Sequence, residues 1–128
     1  MALQYTVQAK KNPRKPGDPE KYYIVSSSLG QIDFEKLIVE ASEETTLNAD
    51  ELRLGLNLVF KKAIERLEEG HTVRLANIGL MGLRVNSLGS DSPEEVSVAK
   101  NVKDIKPYLA FDSKIRARLK QTKLKKKA

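Results

Sequence analysis

Alternating apolar and polar residues predict two β-strands near the N-terminus of this 128-residue chain. Residues 4–9 and 22–26 both alternate and are rich in β-forming side chains. The segment between them contains three prolines, one glycine and several basic residues, and this composition does not permit regular structure. We therefore predict an N-terminal β-hairpin that is closed by a mobile, basic loop.

Helical periodicity replaces this alternation from Asp33 onward. Asp33 stands at a capping position in front of a first apolar helix face. Asn48 and Glu51 have the spacing of a capping box that begins a second helix, and Gly70 supplies its C-terminal stop. On this second helix, Leu54 and Leu58 form an apolar strip outside the main face. That strip requires a cover, which is either the hairpin or a partner subunit.

Beyond the second helix the period returns to two. Short strands are predicted at residues 72–75 and 80–85. The polar, turn-rich segment 86–104 fits a long hairpin or arm, with Val96 and Val98 alternating on its return limb. The order of elements predicts an α+β fold.

A short last helix is predicted from about Asp112, and the lysine-rich end from Lys123 is expected to be disordered. The chain then divides into a hairpin extension at residues 1–30, a single domain at residues 31–122 and a basic tail at residues 123–128.

The net charge of +6 is concentrated at the two ends of the chain. From Lys114 to the last residue there are eight basic residues and no acid. Between Met1 and Tyr23 there are five basic residues and two acids, so the middle of the chain is acidic. Basic ends of this kind either bind a polyanion or keep a protein soluble, and charge alone leaves both interpretations open.

The composition argues against catalysis and against a metal or cofactor. The chain has no cysteine, and His71 is its only histidine, so a nucleophile–base pair or a common transition-metal site cannot be assembled. No stretch is long and apolar enough to span a membrane, and the first residues lack the pattern of a signal peptide. We expect a non-enzymatic cytoplasmic protein without a small-molecule substrate.

The segment from Gly70 to Arg84 resembles the signature region of the bacterial histone-like HU and integration host factor proteins. The residues that stand at the positions of that pattern are Gly70, Val73, Leu75, Gly79, Leu83 and Arg84. Ala110-Phe111 is similar to the family's Ala-Phe pair before the last helix. The likeness covers roughly residues 33–121, and the added hairpin resembles extended HU-related proteins of the Bacteroides type.

This resemblance implies an HU/IHF-like fold with two N-terminal helices, a β-sheet with a protruding β-arm and a short C-terminal helix. It further implies a homodimer whose arms embrace double-stranded DNA through the minor groove and bend or compact it with little sequence readout. Such a protein would be associated with the nucleoid.

Two features depart from the family pattern. The segment 86–104 has two lysines against four acids, and Asp112 stands where the family has a DNA-facing lysine. We therefore expect DNA contacts from basic residues in other places as well. The candidates are Lys10, Lys11, Arg14, Lys15, Arg84, Lys100, Lys103, Lys106, Lys114, Arg116, Arg118 and Lys120.

Each candidate also has an ordinary structural interpretation. The hairpin loop and the last helix could present solvated charge, and Arg84 could pair with Glu94 or Glu95. Two functions follow. The first is an architectural DNA-binding protein, which the basic ends and the resemblance favour. The second is a protein-interaction or scaffolding module on an HU-like dimer that has lost its DNA surface, which the acidic middle and Asp112 favour.

Overall fold

Two three-stranded sheets and four helices make up the computed structural model, which describes residues 2–128. The α+β class predicted from the sequence is confirmed. In chain order the elements are β1 (Ala2–Lys10), β2 (Lys21–Ser27), α1 (Phe34–Ser42), α2 (Ala49–Glu68), β3 (Val73–Leu75), β4 (Gly79–Ser87), α3 (Val98–Asn101), β5 (Val102–Phe111), α4 (Ser113–Lys120) and β6 (Lys123–Lys126). None of the helices found in residues 2–128 combines the length and the apolar character needed to cross a membrane.

The first sheet, which we call the terminal sheet, joins the two ends of the chain in the order β2-β1-β6. The hairpin predicted from alternation is present, with β1 and β2 antiparallel. The disordered tail predicted from Lys123 is wrong, because residues 123–126 form a strand parallel to β1. Strand β6 pairs with the edge of β1 that the hairpin leaves open, and Leu124 lies beside Leu3 in the register. The amide of Lys127 extends this pairing by donating to the Tyr5 carbonyl at 2.9 Å.

Helix α2 has both of the ends predicted from the sequence. The Asn48 side chain accepts a hydrogen bond from the Glu51 amide at 2.8 Å. At the other end Gly70 has a φ of +95°, and the amides of Gly70 and His71 donate to Leu67 and Arg66 in a Schellman motif. Helix α1 also begins after Asp33, although the Asp33 side chain does not cap it.

Helices α1 and α2 are tied together by one arginine. Arg53 of α2 holds both carboxylate oxygens of Glu35 in α1, at 2.6 and 2.7 Å, and also contacts Asp50 at 2.6 Å. The hydrogen bond from Arg53 lowers the pKa of Glu35 from its ordinary value of 4.5. This bidentate pair fixes the relative placement of the two helices at the surface.

The second sheet, which we call the central sheet, has the order β3-β4-β5 with antiparallel neighbours. Residues Gly79–Gly82 at the start of β4 are buried or half-buried, whereas the last five residues of the strand are exposed. Gly79 is needed because a side chain there would overlap the backbone of Ala110 in β5. The sheet therefore begins against the rest of the protein and continues into solvent.

The connection between β4 and β5 is folded differently from the predicted return limb. Val96 and Val98 do not alternate on a strand, because a 3-10 turn at Pro93–Glu95 and helix α3 occupy this region. The buried Asn101 organises it, donating to the Leu88 carbonyl at 2.8 Å and to the Ser90 hydroxyl at 2.7 Å. Its side-chain oxygen accepts from the Ser97 amide. Periodicity could not reveal this turn, because it is held by one amide side chain.

The apolar core of the single chain is small. Within residues 2–128, the buried apolar side chains are Ile38, Ala63 and Leu67. Leu54 and Leu58 of α2 are 64% and 51% exposed, so the strip singled out in the sequence has no cover within the chain. An open apolar groove also runs between α2 and β3. Its apolar lining includes Leu56, Val59, Phe60, Ala63, Val73, Leu75 and Ile78.

Candidate nucleic-acid interface

One face of the central sheet collects cationic side chains from all three of its strands. Arg84 of β4 and Lys106 of β5 are direct cross-strand partners. Arg74 of β3 is the partner of Leu80, and strand alternation places its side chain on the same face as Arg84. The opposite face is apolar and carries residues such as Met81 and Leu109. We call the first surface the polar face of the central sheet.

Arg84 is held on this face by an aromatic ring. Its guanidinium carbon lies 4.3 Å from the centre of the Tyr108 ring, which is the geometry of a cation–π contact. Gly82, the cross-strand partner of Tyr108, leaves the space for that ring, because a Cβ there would come within 2.5 Å of the Tyr108 Cζ. Within residues 2–128, Arg84 makes no ion pair with Glu94 or Glu95. Its guanidinium edge is therefore available to an anion.

The acid that stands where the family has a lysine is partly neutralised. Arg74 donates to the Asp112 carboxylate at 2.7 Å across the end of the central sheet. Asp112 occupies the N-cap position of α4, but its side chain makes no capping hydrogen bond. The Asp112 carboxylate thus neutralises part of the positive charge that Arg74 adds to this face.

The four N-terminal candidates lie away from this face, on the hairpin of the terminal sheet. Lys10 ends β1, with its ammonium nitrogen 5.8 Å from the centre of the Tyr23 ring. Lys11 contacts Glu20 at 3.7 Å, while Arg14 and Lys15 lie in the exposed loop between β1 and β2. They belong to a different sheet from Arg84, so the sequence candidates do not form one continuous cluster within a sheet.

The remaining candidates lie at the two ends of β5. Lys100 is on α3 and Lys103 is near the start of β5, beside the folded connection. Helix α4 follows β5 directly and carries four exposed basic residues, Lys114, Arg116, Arg118 and Lys120. Of the twelve candidates, the register brings only Arg84 and Lys106 directly together. The DNA contacts assigned to all twelve stay predictions.

Arg74 was not among the candidates predicted from the sequence, although the pattern of residues around it contains a signal. Arg74 lies between the inward-facing Val73 and Leu75 of a short strand, which predicts an outward side chain. Its alignment with Arg84 could not be predicted, because that depends on the register between β3 and β4.

Comparison with known proteins places the fold in a defined class. The family model for HU-HIG, described as an HU domain fused to wHTH, Ig, or glycine-rich motif, matches residues 1–126. A crystal structure of a candidate bacterial DNA-binding protein from Bacteroides vulgatus ATCC 8482 has a similar fold, with a TM-score of 0.68 at 14% identity. The likeness covers 98% of this chain and 47% of that one, so this chain spans about half the length of its structural neighbour. No curated protein matches significantly.

The helices and two small sheets are thus those of an HU-like α+β domain. The chain belongs to the HU-HIG family. The resemblance drawn from residues 70–84 is confirmed at the level of the family.

Proposed function

We propose that this protein binds double-stranded DNA through the polar face of the central sheet. The observation that carries the proposal is the cross-strand pair of Arg84 and Lys106, with the Arg84 guanidinium ordered over Tyr108. An ordered guanidinium loses little conformational entropy when it engages a phosphate, and its fork can hold two phosphate oxygens. The Bacteroides vulgatus neighbour, a candidate DNA-binding protein, supports this ligand class.

The binding unit in this proposal is a homodimer. The single chain leaves Leu54, Leu58 and the groove beside Val59 open to water, and exposed apolar surface of this kind marks a site of interaction. A second copy that covers α2 and the groove would complete the core. The exposed ends of β4 and β5 would then form one arm in each protomer, and the five exposed residues of β4 span about 17 Å.

Low sequence specificity follows from the kind of side chains available. Lysine and arginine on an open sheet face contact phosphates, which are the same in every sequence. Helix α4 adds four basic side chains at the end of β5, where they extend the same electrostatic attraction. Bending and compaction of DNA in the nucleoid are the architectural consequence of two such arms engaging one duplex.

A protein-interaction function is the second candidate, and one region favours it. The connection between β4 and β5 is an ordered structure around Asn101, and its 3-10 turn carries Glu94 and Glu95. An acidic tip is repelled by phosphates on both sides of a minor groove. It is better suited to a basic protein surface, with or without DNA on the sheet behind it.

The test is the affinity of the full chain for a short mixed-sequence duplex over a series of salt concentrations. We expect the logarithm of the affinity to fall steeply and linearly with the logarithm of the salt concentration. Bending of the duplex should change the energy transfer between dyes on the two DNA ends. Sedimentation of the same samples gives the mass of the free protein. A monomer that binds no duplex at low salt would overturn the proposal and leave the interaction module as the better account.

A further inference from the structure

The register of the terminal sheet sorts its side chains onto two faces of opposite character. Alternation places most of the large apolar residues on one face, namely Leu3, Tyr5, Val7, Tyr22, Ile24 and Leu124, while Tyr23 and Val25 lie on the other. The other face carries Lys10 and Lys21 at one end, and Lys123 and Lys125 at the other. In the single chain the apolar face is open to solvent, with Val7, Ile24 and Leu124 49%, 63% and 56% exposed, and the four lysines of the other face are exposed as well. Of the two faces, the one that carries the lysines is the one that can attract a polyanion.

The lysine face has no compensating acid of its own. Strands β1, β2 and β6 contain no Asp or Glu, and all four lysines are exposed. In the part of the chain that the structure describes, none of the four makes an ion pair. Lys10 and Lys21 are direct cross-strand partners, an arrangement of like charges that destabilises a sheet. A bound polyanion would relieve this repulsion.

The spacing of the two lysine pairs suits an extended anion. Gln4, the register partner of Lys125, lies six residues from Lys10 along β1, which corresponds to about 20 Å. Phosphates of one strand of a duplex recur about every 3.4 Å along the helix axis, so the face can follow several of them. The side chains of Gln4 and Gln8, on the same face, add hydrogen-bond donors between the two pairs.

We infer that the lysine face of the terminal sheet, formed by Lys10, Lys21, Lys123 and Lys125, is a second binding surface for the phosphate backbone of duplex DNA. This inference rests on the proposed function of the central sheet. An anionic membrane is the less suitable ligand, because a flat bilayer could not meet the lysine face and the apolar face of one sheet at the same time.

The experiment compares two double variants of the full chain that remove the same charge. Lys123→Gln/Lys125→Gln removes two lysines from the face. Lys36→Gln/Lys126→Gln is the matched control, since Lys126 lies in the same strand on the opposite face and Lys36 is exposed on α1. In the first variant we expect the magnitude of the slope of log affinity against log salt to decrease by about one for each lysine that contacts a phosphate. In the control the slope should stay unchanged.

Two further variants exclude an effect of misfolding. Lys123→Arg/Lys125→Arg keeps the charge and should keep the slope of the unmodified protein. Lys21→Gln removes the repulsion with Lys10, so it should lower the slope while leaving the melting temperature unchanged or higher.

The outcomes separate this inference from the proposed function. Equal slopes in the face variant and the control, with tight binding by the unmodified chain, would overturn the second surface and leave the central sheet as the DNA site. Absence of binding by the unmodified chain would overturn both.

Discussion

In the central sheet Arg84 is stacked on Tyr108 and Arg74 is paired with Asp112, whereas in the terminal sheet Lys10 stands opposite Lys21 with no acid on any strand. Both sheets have one polar and one apolar face. The central sheet holds its cations in fixed positions and partly neutralises them. The terminal sheet holds Lys10 loosely over the Tyr23 ring, at 5.8 Å, and none of its strands carries an acid that would neutralise its lysines.

Equal charge can therefore serve two purposes in this molecule. An arginine fixed over an aromatic ring presents its donors in one geometry and is suited to a defined contact. A lysine is a mobile point charge, so several of them attract a polyanion from a distance without fixing its position. We therefore expect the central sheet to orient the DNA and the terminal sheet to add affinity that depends strongly on salt.

The largest expected effect is a loss of dimerisation, caused by a charge placed where the apolar face of the central sheet meets α2. Val59, 57% exposed in the single chain, lines the open groove that a second copy would cover. Val59→Asp would place a charge in that interface, and we expect association at least about a hundredfold weaker, since an uncompensated buried charge costs roughly 3–5 kcal/mol. The measurement is sedimentation equilibrium. Asn12→Asp, an equal change of charge at an exposed site in the loop between β1 and β2, is the control, and equal dimerisation of both variants would contradict the covered groove.

The next effect concerns the ordered arginine. Gly82→Ala would force the Tyr108 ring from its place beneath Arg84, and we expect a loss of about 1–3 kcal/mol in the free energy of unfolding together with weaker duplex binding. Denaturant unfolding and a binding titration measure the two quantities. Gly89→Ala, where a Cβ meets open space, should change neither. If both variants behave alike, the stack has no role in fixing the central sheet.

A smaller effect, opposite in sign, is expected at the acid beside Arg74. Asp112→Asn releases the Arg74 guanidinium for a phosphate, while asparagine remains acceptable at the N-cap of α4. Duplex affinity should rise, and the slope of log affinity against log salt should grow in magnitude by about one. Glu40→Gln, an equal change of charge on α1, is the control. Unchanged binding by Asp112→Asn would show that DNA does not reach this end of the face.

The smallest effect lies outside both sheets, between α1 and α2. Arg53 lowers the pKa of Glu35 below its ordinary value of 4.5. The ionised carboxylate therefore stabilises the folded state fully when the pH is above that ordinary value, and this contribution is lost as the pH falls through the lowered pKa. Glu35→Gln should therefore melt slightly below the unmodified protein at neutral pH, with the difference disappearing in acid. DNA binding at neutral pH should be the same for both proteins. A difference in melting temperature that does not change with pH would contradict the ionic origin of the effect.

Local patterns were sufficient to predict the main elements. The Asn48 cap, the Gly70 stop and the alternation of the N-terminal hairpin all depend on residues close together in the chain, and each is present. The family was also accessible, because residues 70–84 carry its pattern in one continuous segment.

The sequence pattern failed where distant residues decide the structure. Strand β6 exists only because β1, more than a hundred residues earlier, offers it an edge, and a lysine-rich segment alone resembles a disordered tail. The connection around Asn101 depends on a carbonyl partner 13 residues away and a hydroxyl partner 11 residues away. The same limit applies to the candidate site, since the faces that hold Arg74 and Lys125 are defined by register between strands.

Binding of DNA by the polar face of the central sheet is tested by the salt dependence of duplex binding by Arg84→Gln/Lys106→Gln. The control is Lys36→Gln/Lys126→Gln, which removes the same charge from exposed positions on α1 and β6. We predict that the plot of log affinity against log salt becomes shallower, its slope smaller in magnitude by about two, in the first variant. In the control the slope stays unchanged. Equal slopes in the two variants would contradict the account.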